Sequence, residues 1–312
     1  MDTEQSVARL IQKAYEKLKA SDAESAAVLL DEALQIDFDN EETKHALMSV
    51  NWWLERETKI KEIKNPYEKG SFILSQLRQY YTFLDSIAGN YDLCQYAIRR
   101  YVFSSALHCF SDLLGDGVNR HDPGLLLLVG RCYKGVGNYI EALKYLEQAA
   151  RFKREDGETL AELADVNAML GNEDEAKLFF REAFFLNPEK IDLRAMESEM
   201  ICRLRNKIAG EKSFKEDELR EWVPVYGKLW GVFSVIRELT VIELGKLRNS
   251  IFTMETEYRS HPGQGNLKPR LINRYFWLID HYDNKKEDRS IIEEILLKIK
   301  VADPEIYGRY IR

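Results

Sequence analysis

Cys94, His108, Cys109, His121 and Asp122 are the one concentration of metal-ligand residue types in the chain. A structural zinc site needs close ligand pairs such as Cys-x2-Cys, so that one turn supplies two thiolates to a tetrahedral ion. No such pair occurs. Cys94 takes a small position on a helical stretch, Cys109 precedes apolar Phe110, and Cys132 adjoins the core-facing Tyr133. All three read as buried thiols, a small apolar role that free cysteine often fills. His261 stands in the segment Arg-Ser-His-Pro-Gly-Gln-Gly-Asn at 259–266. Turn chemistry accounts for that composition, which lacks G-x-G-x-x-G or P-loop spacing. Asp280-His281 reads as an exposed pair on a helix, and nothing around it supports a triad. These residues point to no catalytic centre, no metal site and no cofactor.

The elements that carry them are helical. Hydrophobic residues make up 45% and charged residues 31% of the 312 positions, with 7 prolines and 17 glycines and little β-type alternation. That balance supports a buried core in an all-α chain. Two stretches, 123–156 and 157–190, repeat each other with a period of 34 residues. Gly130 falls on Ala164, Gly137 on Gly171, Asn138 on Asn172, Ala142 on Ala176, Leu146 on Phe180 and Ala149 on Ala183. Residues 7–40 follow the same columns, with Ala14, Ala26, Leu30 and Ala33, and with Ser21-Asp22 at the turn. Residues 41–86 carry a stretched version that Asn65-Pro66 divides. Residues 87–120 return to the columns through Cys94, Ala106, Phe110 and Leu113.

This pattern resembles the tetratricopeptide repeat family, whose unit is a helix–turn–helix of 34 residues. The resemblance implies an all-α superhelical solenoid over residues 1–190, with units at about 7–40, 41–86, 87–120, 123–156 and 157–190. Residues 191–312 then form a capping helix over 192–208 and a non-repetitive helical region. In the family, first helices line a concave groove that holds a peptide or helix of a partner protein. Carried onto this chain, the groove collects Tyr15, Lys19, Gln95, Arg99, Arg131, Lys134 and Asp165, with Trp52 and Trp53 if the second unit keeps the register. Some family members bind a partner's terminal carboxylate through an Asn column. Here that column reads Gln12, Asp92, Leu128 and Glu162, which does not favour such a clamp.

The C-terminal third is helical without the repeat. Trp222, Tyr226, Trp230 and Phe233 lie at spacing 4-4-3 on one helix face, suited to core packing or to an exposed patch. Leu244, Leu247, Ile251, Met254 and Tyr258 form a seam of about two heptads. An amphipathic helix is expected at 268–283, a capping box at Ser290 and Glu293 for the next helix, and a last short helix from Asp303-Pro304. The net charge of −7 and the lack of a basic stripe argue against nucleic acid. No stretch approaches the roughly 20 apolar residues of a membrane span, and the N-terminus lacks the apolar core of a secretory signal. Four cysteines without paired spacing suggest reduced thiols and the cytoplasm.

The leading expectation is a binding scaffold or adaptor without enzymatic turnover. A second reading is a homo-oligomeric assembly protein, a homodimer joined through the C-terminal helices. A third is a regulatory subunit or enzyme with its site in 210–312.

Overall fold

The computed structural model describes residues 3–115, 121–261 and 265–311. Among these residues every regular element is helical, with fifteen α-helices and one 3-10 turn. The chain divides into two compact units, Met1–Phe152 and Lys153–Arg312. That division falls inside the stretch that the repeat pattern joins into one solenoid, and not at 190. The helices of 157–186 share their unit with the C-terminal helices.

The N-terminal unit holds α1 (Thr3–Lys19), α2 (Ala23–Ile36), α3 (Glu41–Glu62), α4 (Pro66–Leu84), α5 (Asp92–Gly115), α6 (Pro123–Gly135) and α7 (Tyr139–Phe152). Side-chain caps begin several of them. Asp22 accepts from Ser25 N–H, Asn40 from Thr43 N–H, and Asn65 and Asp122 each precede a proline in the first helical turn. Each such cap satisfies a helix-end donor that has no intrahelical partner. Helix α1 packs on α2 and α5, α3 on α2 and α4, α5 on α4 and α6, and α6 on α7.

The C-terminal unit begins with α8 (Gly157–Met169) and α9 (Glu173–Leu186) and a 3-10 turn at Pro188–Lys190. It continues through α10 (Glu199–Glu211), α11 (Glu216–Leu229), α12 (Val241–Ser260), α13 (Leu267–Lys285), α14 (Arg289–Ala302) and α15 (Pro304–Tyr310). Helix α13 is the hub, packed against α9, α11, α12 and α14. From Leu271 to Tyr282 all of its residues are buried except half-buried Arg274. It is therefore a core helix and not the amphipathic one its charged residues suggest.

Three helix pairs share one turn. In α1–α2, α6–α7 and α8–α9, the N–H groups of Asp22, Asn138 and Asn172 donate to the carbonyls of Lys17, Tyr133 and Asn167, each at 2.9 Å. The residue before each donor is left-handed: Ser21 at φ 62°, Gly137 at 81° and Gly171 at 83°. This six-to-one closure is the Schellman C-cap. The small columns do the packing. Ala26, Ala142 and Ala176, and likewise Ala33, Ala149 and Ala183, are fully buried. A Cβ on Gly130 would stand 2.6 Å from Leu146 Cγ, so only hydrogen fits there.

Residues 87–120 do not make such a pair. Residues 92–115 are one continuous helix, α5, and 116–120 lie outside the described residues. The reason is local. The positions that hold Gly137-Asn138 in the repeat hold Tyr101-Val102 here, both buried and neither able to favour a reversal. The hairpin partner of α5 is α4.

Other expectations shift in the same way. The helix expected at 192–208 starts at Glu199, and Leu193 and Met196 are buried ahead of it. Helix α11 ends at Leu229, so Phe233 is not on the face of Trp222 and Tyr226. Gly231 at φ 70° turns the chain back, and Phe233 lies where a Cβ on Gly227 would be 2.4 Å away. Asp288, not Ser290, caps α14. The reciprocal capping box sits instead at Thr240 and Glu243, opening α12. Of the loop at 259–266, residues 262–264 lie outside the described residues, while Arg259 and Ser260 end α12. No described helix is long and apolar enough to cross a membrane.

Candidate functional site

Six of the expected groove residues stand on three helices, of which α5 packs against both others: Tyr15 and Lys19 on α1, Gln95 and Arg99 on α5, Arg131 and Lys134 on α6. They differ in what they offer. The Tyr15 hydroxyl donates to Glu42 Oε1 at 2.9 Å, and the side chain is buried. Burial, with Cys94 and Glu42 nearby, pushes its phenol pKa well above the ordinary range. Lys134 is also buried. Lys19, Gln95, Arg99 and Arg131 are partly exposed.

The ring of Tyr96, which is not among the expected groove residues, is exposed on this layer. Lys19 Nζ lies 5.6 Å from the centre of that ring and also pairs with Glu16 at 2.9 Å. Arg100 Nη1 donates to the Tyr96 hydroxyl at 3.2 Å, and Arg99 lies 5.7 Å from the Phe103 ring. The signal was in the sequence. Tyr96 precedes Arg99 and Arg100 by three and four residues, which puts all three on one helix face. The outcome is a cation-and-aromatic patch across α1 and α5, with Arg131 on the neighbouring α6.

Trp52 and Trp53 are not part of it. Both lie on α3 in a ring cluster: Trp53 is 5.5 Å from Tyr80 and 6.4 Å from Tyr101, and Trp52 stacks at 6.0 Å on Phe83. Trp53 is 1% exposed, so its indole is core. The 22-residue α3 docks between α2 and α4, which turns both indoles inward. Trp52 keeps one contact with charge, the Arg56 guanidinium 3.2 Å over its ring.

Asp165 on α8 belongs to the C-terminal unit and is 0% exposed. Its carboxylate accepts the backbone N–H of Glu197 at 2.9 Å and of Ser198 at 2.8 Å. A buried carboxylate needs such donors. Here they fix the chain entering α10, which is why that helix begins at Glu199.

The metal-ligand types do not converge. Cys94 is fully buried, and burial raises its thiol pKa to about 12. Cys109 and Cys132 are buried too, with their thiols pushed up. His108 and His121 are exposed, and His121 rests on Phe152 at 5.2 Å. Among the described residues, no three His, Cys, Asp or Glu side chains are grouped to hold a metal ion.

The chain matches no known family model and no curated protein.

Asp280 and His281 are buried rather than exposed. Asp280 Oδ2 accepts from Arg181, and its Oδ1 accepts from Lys228 at 2.6 Å. Arg181 also donates to the Val235 carbonyl at 3.0 Å and lies 4.4 Å from the Trp277 ring. Beside this set, Arg270 holds Glu221 through two hydrogen bonds of 2.7 and 2.5 Å and reaches Glu189 at 2.9 Å. These ions tie α9, α11 and α13 together. Trp222, Tyr226 and Phe233 pack among them as core, with Phe214 stacked on Trp222 at 5.6 Å. The heptad seam of α12 is likewise used inside the chain, with Leu247 and Ile251 buried on α13 and Arg248 donating to the Tyr282 hydroxyl at 2.6 Å.

Proposed function

We propose that this chain is a tetratricopeptide-repeat protein of the cytoplasm that binds a segment of a partner protein and performs no turnover. The bound segment is acidic, extended or helical, and lies across α1, α5 and α6. The observation that carries this reading is the patch on adjacent helices where Tyr96 is exposed beside Lys19 and Arg100, with Arg99 one turn on over Phe103. Guanidinium groups suit carboxylates, and an exposed tyrosine adds rigid amphipathic area. Support for the family comes from the common turn of the three helix pairs and their buried small columns.

The test compares wild type with Arg99→Glu/Arg131→Glu in co-precipitation from cell extract, followed by binding of acidic peptides from whatever is recovered. Loss of a defined partner is expected. An unchanged partner set removes the groove from consideration.

A second reading, assembly of identical chains, has one observation behind it. The outer faces of α12 and α14 expose Phe252, Leu297 and Val301 although the α12 seam itself is covered. Multi-angle light scattering at tens of micromolar, on the order used for weak dimers, decides it. A monomer ends that reading.

A further inference from the structure

The strongest unexplained feature of the C-terminal unit is a charge without a counter-charge. Arg274 on α13 is half-buried, and among the described residues it forms no ion pair. Its Nε donates to Ser250 Oγ at 3.2 Å and its Nη1 to the Arg270 carbonyl at 3.3 Å. A guanidinium carries five N–H donors, so donors remain over. The charges nearest to it give little relief. Arg270 repels it, and Glu221 is already held by Arg270 through both carboxylate oxygens. Desolvation, followed by Arg270, lowers the Arg274 pKa to about 10, which still leaves it cationic at neutral pH. An ion in that position normally has a partner, because taking a lone charge out of water is costly.

The same guanidinium stands on the wall of a cavity of about 530 Å³. The cavity's apolar lining comes from Phe185 and Leu186 of α9, Leu239 and Leu247 at and before α12, and Trp277 of α13. Arg274 lies 5.1 Å from the Phe185 ring, so the cation sits where apolar lining and anion-binding group meet. The acids of the cavity are each paired with another cation of its wall, Arg237 or Lys246. Glu182 and Glu243 hold Arg237 at 2.5 and 2.9 Å, and Glu155 pairs with Lys246 at 3.7 Å. Arg154 at the cavity is exposed and adds a further positive charge.

We infer that this cavity is a binding site for a small apolar monocarboxylate, with Arg274 taking the carboxylate and the Phe185–Leu247–Trp277 lining taking the hydrocarbon. The volume lies within the range of small-molecule pockets, roughly 300–1,000 Å³. A planar guanidinium fork matches a carboxylate with two parallel hydrogen bonds. A phosphate would bring more charge than one such fork neutralises, and it would leave the apolar lining without an occupant. The site is independent of the partner-binding patch on α1, α5 and α6, and either can fail without the other.

The experiment is calorimetric titration of the full chain with sodium octanoate and, separately, 1-octanol, which has the same chain length and no charge. One molar equivalent of octanoate is expected to bind, about tenfold or more tighter than the alcohol, as a hydrogen-bonded charge pair gives. Arg274→Gln is expected to lower octanoate affinity by about tenfold or more and to leave octanol unchanged. Removing the uncompensated charge should also raise the Tm of the ligand-free protein, a shift that simple loss of a structural contact would not produce. Equal affinity for acid and alcohol, no octanoate binding at all, or unchanged octanoate affinity in the variant overturns the proposal. Should Arg274→Gln fail to fold, Leu186→Trp decides, since it fills the cavity from its partly exposed side: lost octanoate binding supports the site and retained affinity overturns it.

Discussion

Both units have ring-rich interiors, and the second adds buried ion pairs to its rings. In the N-terminal unit the centre between α3, α4 and α5 is made of rings, with Trp52, Trp53 and Tyr80 in mutual contact and Tyr101 edge-on to Trp53. In the C-terminal unit the contacts around α13 include buried ions, Arg181 and Lys228 on Asp280 and Arg270 on Glu221. Rings gain stability from buried area and from offset or edge-to-face contact. Ion pairs inside a protein roughly break even against well-packed apolar side chains, but they penalise any arrangement that leaves one of them alone. The repeat-like helix pairs thus supply stacking, while the ionic interior of the second unit specifies one packing of α9, α11 and α13.

The largest expected effect breaks that ionic set. Asp280→Ala leaves Arg181 and Lys228 facing each other in a buried site, where the Arg181 and Asp280 side chains are only 4% and 6% exposed. A loss of about 3–5 kcal/mol is expected from stranding a buried charge, measured by urea denaturation. The triple replacement Arg181→Met/Asp280→Leu/Lys228→Met should recover most of that loss. If it does not, the ions contribute stability directly and the contrast drawn between the two interiors fails.

A smaller effect tests the stacking of the helix pairs. Gly130→Ala places a methyl group 2.6 Å from Leu146 Cγ. Overpacking of this kind costs about 1–3 kcal/mol. Since Leu146 is fully buried and cannot swing away freely, the cost should lie above that of Gly210→Ala, where nothing stands within 4 Å. Equal melting temperatures for the two variants would mean that the small column does not set the helix separation.

That contrast also explains what could be read in advance. Small residues at fixed intervals pack within one helix pair, so Ala142, Ala149, Ala176 and Ala183 reveal the pair from local sequence alone. The turn is legible for the same reason, because Gly137 and Gly171 are needed at their own positions. The ionic interior was hidden. Arg181 meets Asp280 across 99 residues, and Arg270 meets Glu221 across 49. No local pattern selects these partners from 52 acidic residues. The candidate groove fell between the two cases. Local spacing puts Gln95 and Arg99 on one face of α5, but the packing of α1 and α6 against α5 is a long-range contact that no local spacing reveals. Trp52 and Trp53 lie inside because α3 docks between α2 and α4.

The shared turn allows a matched pair of substitutions of still smaller effect. Ser21 holds φ 62°, where a side chain is strained, while Gly171 holds 83° in the equivalent place. Ser21→Gly is expected to stabilise the chain by up to about 1 kcal/mol, and Gly171→Ser to destabilise it by about 1–2 kcal/mol. Thermal melts with opposite signs for the two changes would confirm that the turns are equivalent. The same sign for both would show that they are not.

The smallest effect concerns the start of α12, where an ion pair lies near the surface and should weigh less than the buried set. Glu243 accepts from the Thr240 backbone N–H at 2.8 Å and pairs with Arg237 at 2.9 Å. The Arg237 hydrogen bond first, and then the Thr240 groups, lower its pKa to about 2 against the opposing effect of desolvation. An unfolded glutamate titrates at about 4.3. The folded form therefore binds its proton less readily, so Glu243 contributes stability that is complete above about pH 5 and is lost as pH falls toward about 2. The side chain is 37% exposed, and solvent screening limits the contribution to a shift of a few degrees in Tm. Glu243→Gln keeps an oxygen for the cap but has no charge to lose. Its Tm should lie below wild type at pH 7 and converge with it near pH 2, because both side chains are then neutral. A gap between the two melts that stays constant across this range would show that the carboxylate's charge plays no part in holding Arg237 at the head of α12.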